Sequence, residues 1–160
     1  MKRWTWLIII GVLISGYIYN ISSAKYRESS VSEVFKIVES DYSKELYTTG
    51  TINYVSEDIT ENKKATLSTE MIANLLNQLE NTKVTGIKQK DLNALTELNY
   101  YIIDLESTVA DNLILFVSQD ENTGNSILEV FAIDKKLADK YLMRDKEVFN
   151  LIAELIKQAH

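Results

Sequence analysis

Carboxylates are the side chains this chain offers most freely for chemistry, with 23 Asp and Glu against 17 Lys and Arg. Two of them held across a glycosidic bond, one as acid and one as base or nucleophile, are enough for hydrolysis. Glu57 with Glu61, and Asp104 with Glu106, have spacings that put both members on one side of their element. Acidic pairs on a solvated surface have the same spacing, and a small domain encloses little cleft. Other catalytic groups are scarcer. The single histidine, His160, stands at the last position of the sequence, where nothing orients an imidazole. The motifs Gly-x-Ser-x-Gly, HExxH, GxxxxGK[ST] and GxGxxG are absent. DENTGN, residues 120–125, begins as a calcium loop would, with Asp120, Asn122 and Gly124. Its glycine comes one place early, however, and Phe131 stands at the twelfth position, where a bidentate glutamate belongs. The hexapeptide reads instead as a hairpin loop in which Asn and Gly supply positive φ. No catalytic residue, metal ligand or cofactor site emerges, and the chain reads as a non-enzyme.

Composition narrows the field further. Without cysteine there is no disulfide, thiolate metal site, cysteine nucleophile or lipidated cysteine. The formal net charge is -6. Setting Lys2 and Arg3 aside leaves 15 of the 17 basic residues against all 23 acidic ones, so the remainder stands at -8 and repels phosphate backbones. Lys88 with Lys90 and Lys135 with Lys136 are isolated pairs among carboxylates, so no basic stripe exists for nucleic acid. Proline is absent and there are five glycines, so no Pro/Gly-rich linker divides the chain, and its 160 residues suit one domain.

The positions that decide the solvent of this domain come first. WTWLIIIGVLISGYIYN, residues 4–20, follows Met1, Lys2 and Arg3 and carries few polar side chains. A spanning helix takes about 20 apolar residues, while the core of a signal peptide takes about 7 to 15. Trp4 and Trp6 at one end, with Tyr17 and Tyr19 at the other, form the aromatic belts of a membrane anchor. Ser22 and Ala24 fit the small-residue rule for cleavage after Ala24. Residues 1–24 are thus expected to be a signal-anchor or a cleaved signal peptide. Residues 25–160 are expected to be a single domain outside the membrane, tethered by one hydrophobic helix or secreted.

Within that domain, Ser30-Val-Ser-Glu33 is a capping box and Val31, Val34, Phe35 and Val38 keep helical spacing, yet VFKIVES is β-branched enough for a strand. Residues 31–40 stay open between the two. Residues 46–55 read as a strand and SEDITENKK as a loop. Ser68 caps a helix over 69–81 with the stripe Met71, Ile72, Leu75, Leu76 and Leu79. Residues 82–97 carry Gly86 and mixed charge, with a brief helical turn through Leu92, Leu95 and Leu98. Residues 99–106, 112–119 and 126–133 are strands joined by short polar connectors, which makes an antiparallel meander. KYLMR reads as an edge strand, and Asp145 caps a final helix striped by Val148, Phe149, Ile152, Leu155 and Ile156. The spacing predicts an α+β fold, a single antiparallel sheet of about four to five strands with two main helices on one face, preceded by the hydrophobic helix.

Both faces of the meander are apolar: Tyr100, Ile102, Ile114 and Phe116 lie opposite Tyr101, Ile103, Leu113, Leu115 and Val117. That second face either meets a partner, packs against residues 31–40, or is buried inside the fold. The succession STEMIANLLNQLENTK, β-meander and KYLMRDKEVFNLIAELIK resembles small extracytoplasmic α+β domains of Gram-positive bacteria, often lipoproteins and without assigned activity. This chain departs from the lipoprotein form in having no cysteine to lipidate. The resemblance implies a compact α+β fold and assigns no residue a role. The expectation is a membrane-tethered or secreted binding or regulatory domain acting on a protein partner in the cell envelope. The other readings are an immunity or inhibitor protein facing a basic toxin or cell-wall enzyme, and a small carboxylate hydrolase.

Overall fold

A computed structural model describes Ile14 and residues 26–56, 63–92, 95, 97–132, 139–143 and 147–158. In chain order the elements are β1 (Glu28–Ser30), α1 (Val31–Val38), a 3-10 turn (Lys44–Leu46), β2 (Tyr47–Val55), β3 (Lys63–Leu67), α2 (Thr69–Asn81) and β4 (Lys83–Gly86). Then come α3 (Gln89–Leu92), β5 (Glu97–Ser107), β6 (Leu113–Asp120), β7 (Ser126–Ala132), β8 (Asp139–Met143) and α4 (Glu147–Gln158). The strands form one 8-stranded sheet in the order β1-β4-β8-β7-β6-β5-β2-β3, and every neighbouring pair is antiparallel.

Eight strands and four helices overturn the expected four to five strands with two main helices. The additional strands are short or charged. β1 has 3 residues and β4 has 4, and in β3 only Ala65 and Leu67 of KKATL point inward. Such segments carry almost no periodicity of their own and become strands because a longer neighbour offers its ladder. Lys63 and Lys64, expected in a loop, therefore begin β3, which pairs with β2. KYLM is an interior strand, not an edge: β8 lies between β4 and β7.

Residues 31–38 are helical, and the cap decides it. Glu33 N–H donates to Ser30 Oγ at 3.3 Å while Ser30 N–H donates to Glu33 Oε2 at 3.0 Å, closing the capping box. Val31, Val34, Phe35 and Val38 then share one buried face. In α2, Ser68 Oγ accepts from Met71 N–H at 3.2 Å, and Ile72, Leu75, Leu76 and Leu79 are fully buried. Between β6 and β7, Gly124 takes φ 67° but Asn122 and Asn125, expected to share that role, do not take positive φ; Asp120 Oδ2 accepts from Thr123 N–H at 3.2 Å and Thr123 Oγ1 at 2.5 Å and braces the turn instead. The loop is a side-chain-braced hairpin turn.

The register lines up Ile52, Ile103, Leu115 and Val130 in a row across β2, β5, β6 and β7. Helices α1, α2 and α4 pack on this face and share one apolar core with it. Burying each such Leu or Ile side chain contributes about 1.5–3 kcal/mol, so this layer dominates the stability. Because α1 belongs to this layer, residues 31–40 do not cover the second face, contrary to one of the expected arrangements.

Residues 1–24, apart from Ile14, lie outside the described residues, and with them Trp4, Trp6, Tyr17, Tyr19 and Ala24. Among the described residues no helix is long and apolar enough to cross a membrane, so the expected N-terminal hydrophobic helix is not part of the described fold.

Candidate functional site

Strand alternation turns Tyr100, Ile102, Asp104 and Glu106 of β5 away from the helices, since Tyr101, Ile103 and Leu105 enter the core. The ladder to β6 sets Tyr100 opposite Ser118, Ile102 opposite Phe116 and Asp104 opposite Ile114. The next ladder adds Ile127 beside Ser118, Glu129 beside Phe116 and Phe131 beside Ile114. Tyr100, Ile102, Ile114 and Phe116, singled out from the sequence, are thus brought into one patch, each half-buried. Their aromatic rings continue through Phe131: ring centroids are 6.2 Å apart for Tyr100–Phe116 and 5.0 Å for Phe116–Phe131, the latter edge-on. Such pairs add about 0.5–1.5 kcal/mol beyond area burial and hold the rings in place.

One end of this face is covered. Ile127 is 1% exposed and Ser118 and Asp120 are buried although all three point away from the helical layer. Here Ile87, Lys88, Asp91 and Leu95 line, with Thr85, Thr123 and Leu142, a hollow of about 450 Å³. Lys88 Nζ sits 5.7 Å from the centre of the Tyr26 ring beside it. A second hollow, of about 320 Å³, opens at the centre of the face between Tyr100, Phe116, Ser118, Ile127, Glu129 and Lys140. Lys140 Nζ lies 3.8 Å from Glu129 Oε2 across β7 and β8, so the polar rim of this hollow is internally paired.

Asp104 borders the apolar patch. Its Oδ1 is out of solvent contact and accepts no hydrogen bond. Burial, and then the neighbouring Glu106, push its carboxyl above the usual range, while Lys64 pulls it back. Glu106 has a partner, since Thr49 Oγ1 donates to Glu106 Oε2 at 3.2 Å. Asp104 and Glu106 do share one side, but they flank each other on a flat strand and do not face across a cleft. Glu57 and Glu61, the other expected pair, and His160 lie outside the described residues. Among the described residues no group of three metal-ligating side chains converges.

Sequence reasoning missed Phe131, Ile127, Glu129, Lys140 and Leu142 as members of this face. Alternation in SILEVFAI carries part of the signal, because Ile127, Glu129 and Phe131 share a side. Their meeting with Tyr100 and Phe116 depends on register, which local periodicity does not specify. Comparison of the chain with protein-family models, curated proteins and solved structures gives no match.

Proposed function

We propose that this chain is a non-enzymatic binding or regulatory domain, held at or released from the membrane by its N-terminal segment, whose open sheet face docks an envelope protein. One observation carries the reading: an aromatic and aliphatic patch, Tyr100, Ile102, Ile114, Phe116 and Phe131, stays half-exposed on the face opposite the helical core. A half-exposed apolar patch with a polar rim is the composition of a protein interface. The separation of layers supports it, since stability resides on one face and the other is free to vary with a partner. The immunity or inhibitor reading uses the same surface and is favoured by its Asp104 and Glu106, which suit a basic partner.

The test is photo-crosslinking in intact Gram-positive cells with benzoylphenylalanine in place of Ile114 or Phe116. The expected result is a discrete adduct from both positions and none from Ile37, which is exposed on α1. No adduct at either open-face position, or equal adducts at Ile37, overturns the proposal. The tether is read from the same cells by mass and fractionation. A membrane-bound species that retains Met1 to Ala24 identifies an anchor, and a released species beginning at Lys25 identifies a cleaved signal peptide.

A further inference from the structure

We infer that the hollow beside Tyr26 holds the headgroup of a zwitterionic phospholipid from the bilayer to which the chain is tethered, its phosphate meeting Lys88 and its cationic end meeting Asp91. This occupant rests on the tethered form of the reading above and gives the domain an orientation on the membrane. Chain length is the first support. Asn20 closes the apolar stretch of residues 4–20, and Tyr26 follows it by six positions. Six residues reach at most about 20 Å, so a bilayer that holds the stretch has its surface within that distance of Tyr26, which lines the hollow. The rest of the fold extends away from this point. Asp120 lines the same hollow and stands opposite Glu97 at the start of β5, whereas Val109 follows the far end of that strand. At about 3.4 Å per residue, the 11 residues of β5 put roughly 35 Å between the two ends.

The lining then selects the headgroup. Ile87, Leu95, Leu142 and the Tyr26 ring make its apolar part, and its volume of about 450 Å³ falls within the range of about 300 to 1,000 Å³ usual for small-molecule sites. Lys88 is exposed and sits over the Tyr26 ring, a pair of amphipathic side chains suited to the boundary of a bilayer. Asp91, also exposed, brings the opposite sign three positions on, and among the described residues neither Lys88 nor Asp91 is held in an ion pair. The third charged group, Asp120, is turned to its own loop, where it accepts from Thr123. An ammonium and a carboxylate without partners, set beside one apolar hollow, match a headgroup that carries both signs. A purely anionic headgroup would leave Asp91 against a phosphate, and the net charge of -6 opposes an anionic surface as a whole.

The test uses the full-length chain in phosphatidylcholine nanodiscs whose lipids are deuterated except at the choline methyl groups. Methyl NMR then reads contact directly. Nuclear Overhauser effects are expected from the choline methyls to Ile87 and Leu142, with none to Val109. Lys88→Ala and Asp91→Asn are each expected to lose them, while the retained methyl spectrum of the core establishes that both variants are folded. Contacts that survive both substitutions, or that reach Val109 equally, overturn the site. If the chain stays with the nanodisc in size exclusion and Ile87 and Leu142 show no contact, the site falls and the tether stands. If the intact chain elutes without the nanodisc, the tether falls and the site with it. Free phosphocholine, added to the chain in phosphatidylglycerol nanodiscs, lacks the local concentration of a bilayer and is expected to leave Ile87 and Leu142 unmoved. Equal occupancy by it assigns the hollow to a soluble zwitterion and overturns the lipid.

Discussion

At the scale of single residues the titrating groups give the clearest outcomes. Burial first, and Glu106 second, raise the Asp104 carboxyl, so the fold favours its protonated form. The stability it contributes is fully present below the unfolded value, near 3.9, and is lost as pH rises through the raised folded value. Asp104→Asn is therefore expected to be more stable than the parent by about 0.5 kcal/mol at pH 7, a small figure because the side chain is half-exposed, with the difference gone by pH 3 in thermal melts. Phenols behave likewise at the alkaline end. Burial pushes Tyr47 and Tyr101 up to about 12, with Glu39 and Asp111 adding to Tyr47 and Tyr54 to Tyr101. Tyr42 is raised further by burial and by its 2.9 Å hydrogen bond to Glu80. Protonated phenols hold the fold below pH 10, and that contribution is lost as pH climbs through about 12. Absorbance at 295 nm should show these three ionising together with unfolding. Gly50 has a steric role that only strand pairing reveals, since a Cβ there meets Asp104 O at 2.6 Å and Leu105 Cδ2 at 3.0 Å. Gly50→Ala is expected to cost about 1–3 kcal/mol in urea denaturation, because a backbone oxygen is slow to yield.

Individual elements were legible in proportion to their own local signals. The helix over 69–81 appears where cap and stripe place it, since Ser68 and four buried aliphatics leave no competing period. Residues 31–38 carried two signals, and the reciprocal cap at Ser30 and Glu33 prevailed over β-branched content. Ser30→Ala should accordingly destabilise the protein by about 1 kcal/mol in chemical denaturation. Residues 28–30, just before this cap, are nonetheless a strand because β4 supplies Val84 and its neighbours as partners. β3 and β4 show the opposite case: KKATL and KVTG hold too few inward positions to register as strands, and the ladders of β2 and β8 make them so. The hairpin reading of DENTGN rests on chemistry that needs no distant contact, Asp120 bracing the turn and Gly124 taking positive φ.

For the molecule as a whole, the division into a helical layer and an open face predicts that stability and binding separate by mutation. Leu76→Ala, in a fully buried position, is expected to cost about 2–5 kcal/mol in urea denaturation. Phe116→Ser, on the half-buried patch, should cost on the order of 1 kcal/mol while removing the crosslink to a partner. Equal costs for the two would mean that the open face is core. The sequence by itself determined the features that depend on neighbours along the chain. These are the absence of cysteine, the capped helix after Ser68, the strand character of the meander and the alternation that puts Tyr100 with Ile102, and Ile114 with Phe116, on one side of their own strands. Tertiary structure alone decided which layer α1 joins, that KYLM is interior, that Ile87, Lys88, Asp91 and Leu95 line a hollow with Thr85 and Leu142, and that Asp104 keeps an oxygen without a donor. Each of these depends on register and on contacts between residues far apart in the chain, and a period of two or 3.6 residues carries no information about which strand lies alongside.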